Sequence, residues 1–101
     1  MRYKITFESE EPACKKAKFN PLSYESGVIY THAFREMIKN ASGEESIMPV
    51  VFETLSLIRL RVENLGGICY RQIVNYKDVT FYVVDDDMAR AITFMTPEDY
   101  A

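Results

Sequence analysis

Polar and apolar residues alternate from Arg2 to Glu8, with Tyr3, Ile5 and Phe7 set against Arg2, Lys4, Thr6 and Glu8. A period of two places one apolar row and one polar row on opposite faces of a strand. The pattern is lost from Ser9 to Ser26, where two prolines, three lysines and small polar residues predict a long loop with a short helical option at Ala13 to Lys18. From Tyr30 the period changes. Tyr30, Ala33, Phe34, Met37, Ile38 and Ala41 recur at spacings of three and four, the signature of one helix face, and Asn40 to Gly43 supplies the stop. Ser26 and Thr31 are both acceptable N-caps, so Val28 and Ile29 are either its first residues or an extended lead-in.

A second helix is predicted from Met48, Val51, Leu55, Ile58, Val62 and Leu65, with Ser46 as its cap, Pro49 in its first turn and Gly66-Gly67 at its end. Val50, Phe52, Leu57 and Leu60 widen its apolar arc beyond one face. Such a helix is expected either at the centre of the core, with Leu55 and Ile58 deepest, or against another chain. Ile68 to Asn75 and Val79 to Val84 read as antiparallel strands joined through a turn at Asn75 to Asp78. Asp85-Asp86-Asp87 then caps a short helix with Met88, Ala91, Ile92 and Met95 on one face; Arg90 to Met95 as a strand is the competing assignment. The expected fold is α+β, one domain over residues 1–101. A three-stranded, mainly antiparallel sheet in the chain order β-α-α-β-β-α would carry its helices on one face.

Composition adds limits to this picture. Across 101 residues, 48% apolar and 27% charged residues make a globular mixture. A net charge of -3 argues against bulk electrostatic attachment to nucleic acid. The longest apolar region is interrupted by Arg59, Arg61 and Glu63, so no membrane span is expected. Cys14 and Cys69 form no CxxC pair. Reduced thiols in a cytoplasm are the simplest expectation.

Candidate chemistry is sparse. A lone histidine, His32, would need Cys14 or Cys69 beside it in space to form a nucleophilic dyad. Consecutive carboxylates at Asp85 to Asp87 point in different directions, and no DxDxDG loop follows. Gly66-Gly67 follows a helix, the reverse of a phosphate cradle. No catalytic, cofactor-binding or metal-ligating residue is assigned, and no cofactor is expected.

Two surfaces remain. Lys15, Lys16, Lys18, Phe19 and Tyr24, with Arg2 and Lys4, combine cations with aromatics in a manner suited to nucleic acid. Seven tyrosines, Tyr3, Tyr24, Tyr30, Tyr70, Tyr76, Tyr82 and Tyr100, exceed what a small core can satisfy. Tyr70 and Tyr82, beside Gln72 and Thr80, are expected to form a half-aromatic patch on the hairpin.

The leading expectation is therefore a non-enzymatic protein-binding module: an inhibitor, adaptor or regulatory subunit of the kind common among phage and mobile-element accessory proteins. Phe52, Leu57, Leu60, Tyr70, Tyr76 and Tyr82 are its interface candidates, and a homodimer through the second helix is one form of it. A nucleic-acid-binding protein using residues 15–24 is the first alternative. A small Cys/His or metal-dependent hydrolase relying on His32, Cys69 or Asp86 is the second.

Overall fold

A computed structural model describes residues 4–9, 16–17, 27–65, 68–86 and 91–100. The elements are β1 (Ile5–Phe7), β2 (Lys16–Ala17), β3 (Val28–Tyr30), α1 (His32–Ser42), α2 (Met48–Leu65), β4 (Ile68–Cys69), β5 (Arg71–Tyr76), β6 (Val79–Asp86), β7 (Ala91–Met95) and α3 (Pro97–Tyr100). The α+β class matches the sequence expectation, but the sheet is larger. Among the described residues it has five strands in the order β1-β5-β6-β7-β3, and β2 pairs with β4 in a separate two-stranded ribbon. All pairs are antiparallel except β3 with β7, so the main sheet is mixed.

Both additional strands of the main sheet lie where periodicity is ambiguous. The run Ala91-Ile92-Thr93-Phe94-Met95 was expected as part of a helix, yet it is strand β7 between β6 and β3. Its first four residues are all buried, with the pleat sending Ile92 and Phe94 into the main core and Ala91 and Thr93 to the opposite face. A strand covered on both sides carries a continuous apolar run, which helical spacing can mimic over five residues. Val28–Tyr30 settles as a strand because Thr31, not Ser26, caps α1: Phe34 N donates to Thr31 Oγ1 at 3.1 Å. The helical option within the long loop is likewise replaced at Lys16–Ala17 by strand β2; residues 10–15 and 18–26 lie outside the described residues.

Helix α1 ends at Gly43, whose φ of 74° lies in the left-handed region and whose N–H donates to Lys39 O at 2.8 Å. Glycine meets that φ without a Cβ penalty. The turn between β5 and β6 is tighter than expected, reduced to Lys77-Asp78, with Lys77 at φ 53°. Tyr76 consequently remains in the strand, opposite Val79.

The core lies between the helices and one sheet face. At its centre Phe34 of α1 meets Phe81 of β6 and Phe94 of β7, with ring centroids 5.0 and 5.4 Å away. Ile5, Val74, Tyr76 and Val83 extend this layer along the sheet, while Ile38, Val50, Val51 and Ile58 close it from the helices. Leu55 packs against the cluster half-buried, whereas Ile58 is fully enclosed. Over the β1 side, the guanidinium of Arg61 on α2 lies 4.7 Å from the ring centre of Phe7. Burial of the Arg stem and a cation-π contact together fix that end of the helix.

Candidate functional site: two apolar surfaces and a tyrosine cluster

Helix α2 divides its wide apolar arc between inside and outside. Val50, Val51, Thr54 and Ile58 are buried, and the hydroxyl of Thr54 donates to Val50 O at 2.8 Å, which satisfies it within the helix. Leu57 and Val62 lean on the core from the flank. Phe52 and Leu60 do not: they are 61% and 52% exposed, and Met48 is also exposed one turn before Phe52. Arg59 and Glu63, an i,i+4 pair at 3.4 Å, stand beside Leu60. The result is two exposed apolar side chains two turns apart, with exposed Ser56 between them and charged neighbours, on the outer side of α2 away from Ile58. Helical geometry requires this, because an arc wider than about 100° cannot be covered by one sheet face.

The tyrosines have a different role. Tyr82 projects from the sheet face opposite the helices, between Ile73 and Met95 in register. Its ring meets Tyr100 of α3 edge-on, with centroids 5.5 Å apart. The Arg71 guanidinium lies 5.4 Å from the Tyr82 ring centre and 5.0 Å from that of Tyr100. Tyr70, at the bend between β4 and β5, shares a hydrogen bond of 3.0 Å with Tyr100 through their hydroxyls. These groups dock the C-terminal helix onto the second face of the sheet. Thr80 shares the Tyr82 face and bonds Asn75 at 2.7 Å. Gln72 was expected on that face too, but it is buried on the core side and donates from Nε2 to Cys69 O at 2.8 Å. Tyr76 was expected at a surface; at 2% exposure it belongs to the core.

A third feature was not anticipated. Among the described residues, strand β3 ends the main sheet, and Val28, Ile29 and Tyr30 are 40%, 49% and 43% exposed. Three consecutive apolar residues on an edge are unusual, since natural edges are commonly protected by charge, proline or bulges. Their adjacency and the preceding Gly27 were the available signals.

At the same end of the sheet, Thr31 and Thr96 converge on one carboxylate. Asp99 Oδ2 accepts from Thr31 Oγ1 at 2.6 Å, from Thr96 N at 3.1 Å and from Thr96 Oγ1 at 3.0 Å. Asp99 N in turn donates to Thr96 Oγ1 at 3.3 Å, so Thr96-Pro97-Glu98-Asp99 forms a reciprocal capping box. The Thr31 hydroxyl and then the Thr96 backbone N–H hold the Asp99 carboxyl below its ordinary value; burial pushes the other way, and the Thr96 hydroxyl adds the smallest lowering. One side chain thereby joins the N-termini of α1 and α3.

The described residues include only part of the candidates for catalysis. His32 is exposed in the first turn of α1. Cys69 is buried and disulfide-bonded, which corrects the expectation of reduced thiols and removes its sulfur as a nucleophile. Cys14, the only other cysteine in the sequence, lies outside the described residues, as does Asp87. Among the described residues, no three His, Cys, Asp or Glu side chains are grouped to hold a metal ion. Of the basic and aromatic set, Lys4 is exposed and Lys16 lies in β2; Arg2, Lys15, Lys18, Phe19 and Tyr24 lie outside the described residues, as does Tyr3. Among the described residues, no helix is long and apolar enough to cross a membrane.

Compared with known proteins, the chain matches no family model, no curated sequence and no solved structure.

Proposed function

We propose that this protein is a non-enzymatic protein-binding module, an inhibitor, adaptor or regulatory subunit, and that the outer side of α2 is its contact surface. The observation that carries this reading is the exposure of Phe52 and Leu60 on a helix whose other side is anchored in the core at Val50, Val51 and Ile58. A rigid helix bearing an aromatic and an aliphatic anchor, bordered by Arg59 and Glu63, has the composition of an interface centre with a polar rim. Binding there need not disturb the core. Tyr70 and Tyr82 play a supporting role in this reading, because their rings and hydroxyls are engaged with Tyr100. The disulfide at Cys69 favours an oxidising compartment over a reducing cytoplasm for the encounter.

The test is affinity capture from an extract of the native host, with the unaltered chain and a Phe52→Ser, Leu60→Ser double variant compared side by side. A partner retained by the first and lost by the second, at equal thermal stability, is the expected result. Equal recovery of every bound protein by both chains overturns the assignment of this face.

A further inference from the structure

We propose that β3 is a self-association edge, through which two copies of the chain pair β3 with β3 antiparallel and join their sheets into one.

The inference begins with the phase of the hydrogen-bond ladder. Ile92 N donates to Gly27 O at 3.1 Å, and Thr31 N donates to Phe94 O at 3.0 Å. With Val28 opposite Ile92 and Tyr30 opposite Phe94 in a parallel pair, Gly27, Ile29 and Thr31 direct their backbone groups toward β7. Successive residues of a strand alternate, so the N–H and C=O of both Val28 and Tyr30 face away from the sheet.

That arrangement is complementary to itself. In an antiparallel pair, hydrogen-bonded positions lie opposite one another, and each such pair exchanges two N–H···O bonds. A two-fold axis through Ile29 sets Val28 of one copy against Tyr30 of the other, and Tyr30 against Val28. Every outward backbone group of the strand is then satisfied. Ile29 meets its own copy at a non-hydrogen-bonded position, consistent with its backbone already bonding β7. Side chains agree with the register: Val28 and Tyr30 share the helix-bearing face, where Tyr30 lies 6.4 Å from the Phe34 ring, and aromatic with β-branched cross-strand pairs are favourable. The two Ile29 side chains meet on the other face.

The opposite edge of the sheet lacks these properties. At β1, exposed Thr6 occupies the central position, and Lys4 and Glu8 flank the strand as exposed charges. Such polar and charged positions discourage edge pairing. Strand β3 carries no charge within its three residues and exposes all of them. A second copy is the natural occupant because it presents the same outward pair in the same spacing, as a two-fold contact demands. This surface is separate from the outer side of α2, and the two readings stand or fall independently.

The full chain would be examined by sedimentation velocity over a wide concentration range, alongside Ile29→Lys. The unaltered chain is expected to move from monomer to dimer as concentration rises, and Ile29→Lys to remain monomeric with an unchanged circular dichroism spectrum. Because a charged variant can fail to fold, Ile29→Cys and Val28→Cys supply a second measurement. Opposed non-hydrogen-bonded residues have Cα atoms about 4.5 Å apart, inside the roughly 4.4–6.8 Å span of disulfides. Mild oxidation should therefore link Ile29→Cys to its copy, with the 29–29 bond identified by peptide mapping, and link Val28→Cys far more slowly. A chain that is monomeric at every concentration, or a dimer that forms no 29–29 link, overturns the proposal. A dimer abolished by Phe52→Ser, Leu60→Ser and unaffected at Ile29 would move self-association to α2 and also overturn it.

Discussion

Ile58 and Phe52 sit six positions apart on one helix, and their environments call for opposite responses to truncation. Ile58 has no exposed surface and lies between the helices and the sheet. Ile58→Ala should cost about 2–5 kcal/mol, since both transfer free energy and a residual cavity contribute. Phe52 is mostly solvated, so Phe52→Ala should stay within about 0.5 kcal/mol in the isolated monomer. Urea denaturation of both variants checks the pair, and a large loss at Phe52 would mean that its ring is covered within the chain. Asp99 offers a second test at this scale. Its lowered folded-state value means that the unfolded chain binds more protons between the two values. Its contribution is therefore complete above the ordinary carboxylate range and is lost as pH falls through the folded value. Asp99→Asn should flatten the stability profile in that acid window and leave its slope near neutral pH unchanged. Because Asp99 is exposed, the effect should be small. Denaturant midpoints across an acid series measure it.

Elements in this chain depend on their ends as much as on their faces. Thr31 caps α1 and donates to the carboxylate that also belongs to the cap of α3. Removing it by Thr31→Ala should cost about 0.5–2 kcal/mol as a cap. A double-mutant cycle with Asp99→Asn should be non-additive, because both changes break the Thr31–Asp99 hydrogen bond. Additive losses would mean that the two helix ends are energetically separate. The spans of α1 and α2 were legible in the sequence because periodicity and end signals agreed: Gly43 stops α1 and Pro49 falls in the first turn of α2, although α2 is entered at Ile47, whose carbonyl accepts from Val50 N and Val51 N at 3.1 Å, rather than at the expected Ser46. Strands β3 and β7 were not legible. Three and five residues are too few for a period to separate strand from helix, so pairing decided them, β7 beside β6 and β3 beside β7.

For the whole molecule, Cys69 at the end of β4 is disulfide-bonded, and its carbonyl accepts from the buried Gln72. Quantifying thiols in denatured, unreduced protein should reveal none, with both cysteines reactive after reduction. Loss of a native disulfide from a small domain typically costs about 2–5 kcal/mol, so Cys69→Ser should lower the melting temperature substantially. A reactive thiol at Cys69 before reduction would contradict this bond. The surface expectations from sequence divide along the same physical line as the fold. The surplus apolar arc of α2 was legible as surplus, because no single face can cover it. Which residues remained outside was not, since Val50 and Leu57 found cover while Phe52 and Leu60 did not. By itself the sequence determined helices α1 and α2, the β5–β6 hairpin and the α+β class, because local periodicity and capping chemistry need only near neighbours along the chain. Tertiary structure decided the five-stranded mixed sheet, the burial of Tyr76 and Gln72, the Tyr82–Tyr100–Arg71 cluster and the exposed β3 edge. Each of these depends on strand order and register between residues far apart in sequence, and short local patterns carry no record of which strand will lie beside which.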